Sequence, residues 1–83
     1  MKMEELIGRL GESEDTGLRI LSKTMKRKYD ELKNGEDVER RNESFEFLNG
    51  CINAMMGLGE ITESEENSLW NEMFHCLYGE EKV

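Results

Sequence analysis

Proline is absent from this sequence of 83 residues, which also contains only two cysteines, one histidine and six aromatic residues. β-branched residues are few, whereas glutamate, lysine, leucine and methionine are abundant, and this composition favours α-helix. A chain of this length forms one domain at most, so we expect a single all-α domain over residues 1–83. Because such a small domain buries relatively little surface, a partner chain often contributes to its stability.

Long apolar runs are also missing. The longest uninterrupted one, Ala54-Met55-Met56, is far shorter than the ~20 residues that span a bilayer. The N-terminal residues turn acidic at Glu4 and Glu5, where a signal peptide would require an apolar segment. We therefore expect a soluble protein without a membrane partner, located in the cytoplasm (of the host cell, if a phage encodes it).

The small number of cysteines and histidines limits the possible chemistry. In the helical hairpin expected below, Cys51 and Cys76 are offset by ~10 Å along the helix axis. A disulfide needs Cα atoms within ~7 Å, so we interpret both residues as small buried hydrophobes. The lone histidine, His75, precedes Cys76 and points ~100° away from it on a helix, which argues against a cysteine–histidine catalytic pair. We expect no enzymatic activity.

One pair of residues has the spacing of a metal site. Glu72-x-x-His75 matches the motif that di-iron helical bundles use on two of their helices. Ligands of such a site must point into the bundle, but a helical wheel places both residues about 130–170° from the apolar centre between Met73 and Leu77. The pair is therefore interpreted as solvated, and we expect neither a metal nor a cofactor.

Apolar residues recur at helical spacing in four segments. They predict a short helix over 2–10, a basic helix over about 15–33 that stops at Asn34-Gly35, and a third helix over about 36–58. A fourth helix follows Thr62, where Thr62-Glu63-Ser64-Glu65 matches a capping box, and ends at Gly79. The short connection makes the last two helices an antiparallel hairpin. The predicted fold is a small bundle of three main helices plus a short N-terminal helix.

Helices three and four each carry an apolar arc of about 200°, wider than packing on one neighbour requires. Helix three has two neighbouring apolar stripes, and the first contains Val38, Phe45, Leu48, Ile52 and Met55. Aromatic residues in a row are typical of interface cores, so we expect the chain to form a homo-oligomer, most simply a dimer, through the hairpin. The alternative is that the N-terminal helix covers this surface within one chain. The expected interface residues are Phe47, Cys51, Leu58, Trp70, Phe74 and Tyr78.

Charge divides the chain into two unequal parts. Residues 1–41 contain ten acids and ten bases, whereas residues 42–83 contain nine acids and one base. Within the first part, residues 17–33 form a basic helix on which five bases share a flank: Arg19, Lys23, Lys26, Arg27 and Lys33. The first four are the candidates for binding an anionic ligand. That flank is either solvated or a site for a phosphate-bearing ligand. The net charge of −8 disfavours duplex DNA, which requires a broad cationic surface.

The acidic part also has two interpretations. Acids at a helix start suit the positive end of the helix dipole, so they can serve only capping and solubility. Alternatively, the cluster resembles a phosphate backbone in charge and binds the nucleic-acid groove of another protein. The candidate residues surround the hairpin turn and the start of helix four: Glu60, Glu63, Glu65 and Glu66.

The segment 47–65 resembles helical hairpins in small uncharacterised proteins of bacteriophages and mobile elements. The resemblance lies in Phe47-Leu48-Asn49-Gly50 and in Leu58-Gly59-Glu60-Ile61-Thr62-Glu63-Ser64-Glu65. It implies a small accessory protein that acts on a host factor, as anti-defence proteins do. We therefore expect a non-enzymatic protein–protein interaction module that inhibits a host factor. The alternative is an oligomeric protein that binds a phosphate-bearing small ligand or nucleotide through the basic helix 17–33.

Overall fold

A computed structural model describes residues 1–79 and contains four helices: α1 (Met3–Gly11), α2 (Thr16–Asn34), α3 (Val38–Gly57) and α4 (Glu63–Tyr78). No strand occurs within these residues. The prediction of an all-α bundle is confirmed, and the predicted helix boundaries agree with the observed ones to within two residues. None of the four helices combines the length and the apolar character needed to cross a membrane, in the part of the chain described.

Local side chains define where three of the helices begin. Asp15 accepts hydrogen bonds from the N–H groups of Gly17 (2.8 Å) and Leu18 (3.2 Å), and Asp37 caps α3 in the same way. At α4 the capping box forms as predicted: Thr62 Oγ1 accepts from Glu65 N at 3.1 Å, and Glu65 Oε1 accepts from Thr62 N at 2.9 Å. Each cap satisfies backbone donors that the first helical turn leaves without partners.

The glycines that end the helices act in two different ways. Gly59, in the turn between α3 and α4, has a φ of 81°, a left-handed conformation that other residues rarely adopt. Gly35 ends α2 as predicted, but its φ of −65° is not the left-handed conformation that a glycine after a helix usually adopts. A Cβ atom at Gly35 would lie 2.6 Å from the carbonyl oxygen of Glu31, so glycine is required there for close approach instead.

All four helices contribute to one core. Its most completely buried members are long, flexible or branched aliphatic side chains, with leucine and methionine most common, as the sequence composition indicated. Val38, which was expected to begin the apolar stripe of α3, is 66% exposed, so the stripe joins the core only from its second turn onward. The core residues are Met3, Leu6, Ile7, Leu10, Met25, Tyr29, Leu32, Leu48, Ile52, Met55, Ile61, Leu69 and Met73.

Helix α1 packs mainly along α2 and also reaches α4. The buried hydroxyl of Ser22 donates to the carbonyl oxygen of Ile7 at 2.9 Å, which fixes α1 against α2. The N–H of Met3 donates to Glu72 Oε1 at 2.7 Å, and Ser68 Oγ donates to the carbonyl oxygen of Met1 at 3.1 Å. These contacts place the start of α1 against the Ser68–Glu72 side of α4.

Candidate functional site: an aromatic edge on the α3–α4 hairpin

Four aromatic rings form a continuous row along the junction of α3 and α4. Phe45 contacts Trp70 edge to face at a centroid distance of 6.1 Å, and Trp70 stacks on Phe74 at 4.9 Å with an interplanar angle of 20°. Phe74 in turn meets Tyr78 at 4.6 Å. We call Phe45, Trp70, Phe74 and Tyr78 the aromatic edge. Its α4 members recur every four residues, the spacing that aligns side chains along a helix face.

The aromatic edge remains accessible although its rings contact one another. Tyr78 is 51% exposed and Trp70 is 37% exposed, while Phe74 and Phe45 are half-buried. Trp70 and Phe74 each lie two positions from Glu72, so they point about 200° away from it around the helix axis. Because Glu72 faces α1, the aromatic edge lies on the other side of α4, and α1 does not cover it.

The other expected interface residues lie along a different edge. Phe47 follows Phe45 by two residues and therefore faces the opposite side of α3, where Lys28 Nζ of α2 lies 5.6 Å from its ring centroid. Cys51 and Leu58 recur from Phe47 at helical spacing, Cys51 half-buried and Leu58 79% exposed. The six residues predicted as one interface are thus divided between the α3–α4 edge and the α2–α3 edge.

Glu72 occupies a position that the sequence did not indicate. Its carboxylate is partly buried and accepts hydrogen bonds from the Tyr29 hydroxyl and from the Met3 N–H. The expectation of a solvated Glu72–His75 pair is therefore wrong for Glu72, because α1 and α2 pack on the flank of α4 that the helical wheel left unassigned. His75 is exposed, as expected. Burial, followed by the hydrogen bond and charge of Glu72, raises the pKa of Tyr29 above its ordinary value.

An open groove of about 440 Å³ beside Glu72 is lined by Lys2, Glu72, His75 and Cys76. Burial raises the pKa of the Cys76 thiol, and the Glu72 carboxylate raises it further, so the reactive thiolate is disfavoured there. Burial also raises the pKa of Cys51. Both cysteines are free and half-buried against the core, more exposed than predicted. Within residues 1–79 no three histidine, cysteine, aspartate or glutamate side chains are grouped as metal ligands.

The basic flank of α2 runs beside α1 but does not converge on one point. Arg19 and Lys23 line a groove of about 400 Å³, whereas Lys26 lines a separate groove of about 280 Å³ with Glu4 and Asp30. Arg19 is already committed to the α1–α2 connection, because its guanidinium donates to the carbonyl oxygen of Ser13 at 2.7 Å and to Thr16 Oγ1 at 3.2 Å. Arg27 is exposed and lines neither groove.

The acidic candidates stay together at the turn before α4. Glu63 is exposed on the first turn, Glu66 is half-buried, and Glu65 is held in the capping box. The carbonyl oxygen of Glu60 accepts from Arg9 at 3.4 Å. Glu63 and Glu66 precede Trp70 by seven and four residues, so they continue the aromatic edge toward the start of α4. The acidic and aromatic residues therefore form one continuous surface.

The chain matches no family model, no curated protein and no solved structure at a significant level. The site is thus defined by its geometry alone. Sequence patterning identified three of its four rings but not Phe45, which was assigned to the core stripe of α3. The four-residue spacing of Trp70, Phe74 and Tyr78 was the available signal, and the contact with Phe45 depends on how α3 and α4 pack.

Proposed function

We propose that this protein functions as a non-enzymatic binding module whose partner is another protein, contacted through the aromatic edge. The observation that supports this most directly is the row of four rings, two of which remain at least one-third exposed. Aromatic side chains bury a large area at low entropic cost and dominate the energetics of protein interfaces. A mobile-element protein that inhibits a host factor by covering its surface is one form of such a module.

The proposal is tested by capture from a lysate of the native host with tagged chain and three variants. Tyr78→Ala changes the aromatic edge, Leu58→Ala changes the α2–α3 edge, and Ile20→Ala is an exposed control on α2. We expect a specific partner to be retained by Ile20→Ala and Leu58→Ala. Tyr78→Ala should weaken its binding roughly thirtyfold, the effect of losing an interface hot spot. Circular dichroism checks that each variant is folded.

Three results would contradict parts of this proposal. Loss of the partner with Leu58→Ala alone would transfer the binding surface to the α2–α3 edge. Equal capture by every variant would remove both edges from the interaction. If no protein binds the wild-type chain specifically, the protein-binding function itself is wrong. Sedimentation of the isolated chain separately tests the prediction of a homo-oligomer.

The phosphate-ligand alternative rests on the groove beside Arg19 and Lys23. Its support is weaker, since the Arg19 guanidinium already donates to the α1–α2 connection. A ligand that binds only the native state raises the unfolding temperature. A nucleotide-dependent rise that is lost in Lys23→Ala would favour this alternative over the aromatic edge.

A further inference from the structure

Acidic residues dominate the segment that carries the aromatic edge, and Arg41, one turn before Phe45, donates to the carbonyl oxygens of Leu32 and Cys76. Residues 42–79, which include all of α4 and most of α3, contain seven glutamates and neither lysine nor arginine. Glu63 and Glu66 extend the edge toward the N-terminus of α4, and the exposed Glu46 follows Phe45 on α3. Any occupant of the edge therefore meets apolar rings and negative charge together.

The rings on the two sides of α3 differ in their cationic contacts. On the α2 side, Lys28 Nζ lies 5.6 Å from the Phe47 centroid, and Lys33 Nζ lies 4.4 Å from the Tyr29 centroid. The rings of the aromatic edge have one another as neighbours, and residues 42–79, which contain the edge, supply neither lysine nor arginine to them. The partly exposed faces of Trp70 and Tyr78 are thus suited to a cation brought by the partner.

A second copy of the chain fits this surface poorly. A symmetric dimer places the same patch on both sides of the interface, so both copies bring the same excess of negative charge to it. Two patches with the same excess of negative charge repel each other at an interface, and residues 42–79 supply neither lysine nor arginine to compensate. The charge pattern therefore favours a partner of opposite sign.

On the basis of the proposed function, we infer that the occupant of the aromatic edge is a cationic amphipathic helix of another protein. Its apolar side chains would pack on Trp70, Phe74 and Tyr78, while its arginines or lysines would meet Glu63 and Glu66. A helix is the expected form because two adjacent helices present a groove that accepts a third. The α4 part of the edge runs from Trp70 to Tyr78, a rise of about 12 Å along the helix axis, which is enough to contact roughly two turns.

The test uses three fluorescein-labelled helical peptides of about 18 residues with leucine along one face. The other face carries arginine, glutamine or glutamate, which gives cationic, neutral and anionic versions of one design. Anisotropy is measured as the full chain is titrated in. We expect the cationic peptide to bind roughly tenfold more tightly than the neutral one, and the anionic one to bind least. Raising the salt concentration should reduce the difference.

Variants separate charge at the edge from charge elsewhere. Tyr78→Ala should weaken the cationic peptide at least roughly tenfold, and the double variant Glu63→Gln, Glu66→Gln should reduce its preference over the neutral peptide. Ile20→Ala should change neither. Phe74→Ala provides a second aromatic variant if Tyr78→Ala is poorly folded. Sedimentation without peptide shows whether a second copy occupies the edge.

The outcomes distinguish this inference from the proposed function. If the neutral and cationic peptides bind equally tightly and Tyr78→Ala weakens both, the inference of a cationic partner is wrong. The proposal that the aromatic edge binds a protein would then still stand. If the cationic peptide binds Tyr78→Ala and Phe74→Ala as tightly as it binds wild type, its binding is nonspecific charge attraction, and the inference is overturned. A dimer abolished by Tyr78→Ala would assign the edge to a second copy instead.

Discussion

Glu72 joins three helices through one carboxylate. It belongs to α4, and its two oxygens accept hydrogen bonds from the Tyr29 hydroxyl of α2 and the Met3 N–H of α1. A hydrogen bond to a charged group contributes more to stability than a neutral one, and its loss leaves two donors without a partner. Glu72 is therefore a structural residue, although its spacing from His75 resembles a metal motif.

Replacing Glu72 tests this role. We expect Glu72→Ala to lower the free energy of unfolding by about 2 kcal/mol, because the Tyr29 hydroxyl and the Met3 N–H lose their acceptor. The measurement is urea denaturation followed by circular dichroism. The exposed neighbour Asn71 provides the control, and Asn71→Ala should change stability by less than about 0.5 kcal/mol. An unchanged urea midpoint for Glu72→Ala would contradict the assignment.

The raised pKa of Tyr29 predicts a loss of stability in alkaline solution. Its pKa is raised from an ordinary value of 10.0 by burial and by Glu72. Above pH 10 the unfolded chain releases the phenolic proton and the folded chain keeps it, so stability falls as pH rises. We expect the unfolding temperature of wild type to decline more steeply above pH 10 than that of Tyr29→Phe. Tyr78→Phe, on the exposed edge, is the matched control and should keep the wild-type slope.

Sequence patterning failed at Glu72 for a definable reason. The helical wheel gives the angle between side chains on one helix, and it placed Glu72 well away from Met73 and Leu77. It does not show how much of the remaining surface a neighbouring helix covers. Here α1 and Tyr29 supply hydrogen-bond donors on that flank, so a charged residue is accommodated at the border of the core.

Arg41 connects the ends of two helices at the scale of secondary-structure elements. From the first turn of α3, its Nε donates to the carbonyl oxygen of Leu32 at 2.9 Å and its Nη2 to that of Cys76 at 2.6 Å. Both carbonyls belong to the last turns of their helices, α2 and α4, where backbone acceptors lack intrahelical partners. One guanidinium thus caps two C-termini and meets the negative ends of both helix dipoles.

Arg41→Met should therefore lower the free energy of unfolding by about 2 kcal/mol, since it removes two charge-assisted hydrogen bonds to half-buried carbonyls. The exposed Arg40 is the adjacent residue of the same type, and Arg40→Met should have little effect. Thermal and urea unfolding of the two variants give a direct comparison. Equal stability of the two would show that water satisfies these carbonyls equally well.

The helices themselves were largely predictable, because their signals are local. Thr62 and Glu65 cap the same backbone groups that their spacing indicated. Gly35 shows the limit of this approach. A glycine after a helix suggests a positive φ, but here its role is to let the carbonyl oxygen of Glu31 come close. The capping role of Arg41 was equally hidden, since it depends on three helices meeting.

At the scale of the whole molecule, α1 is a large part of a small core. Its four apolar residues, Met3, Leu6, Ile7 and Leu10, are all buried. Their burial contributes about 6–12 kcal/mol at ~1.5–3 kcal/mol per side chain, comparable with the total stability of 5–15 kcal/mol that is typical of small domains. The short N-terminal helix is therefore required for the fold and is no accessory to it.

Removal of residues 1–12 should abolish cooperative unfolding, because the surfaces of α2 and α4 that α1 covers would be exposed to water. Circular dichroism during heating measures the loss. Adding a peptide of residues 1–12 should restore the transition, with a midpoint that rises as the peptide concentration rises. A cooperative transition with unchanged midpoint in the truncated chain would refute this role for α1.

The arrangement of the helices decides which apolar residues remain at the surface, and the sequence alone left that open. It indicated too much apolar area on α3 and α4 for one neighbour, but not which part the other helices take. In the bundle α2 lies beside Phe47, and α1 lies beside Glu72. What remains is the row from Phe45 to Tyr78, together with Val38, Phe47 and Leu58, which are also exposed.

The position of Trp70 gives the molecule a built-in optical probe. It is the only tryptophan of the chain, and it lies in the middle of the aromatic edge, stacked on Phe74 and 37% exposed. Excitation at the red limit of protein absorption therefore interrogates that one surface and no other. Indole fluorescence moves to shorter wavelength when water is removed from around the ring. The emission maximum of the unlabelled protein therefore shows whether a partner covers this surface.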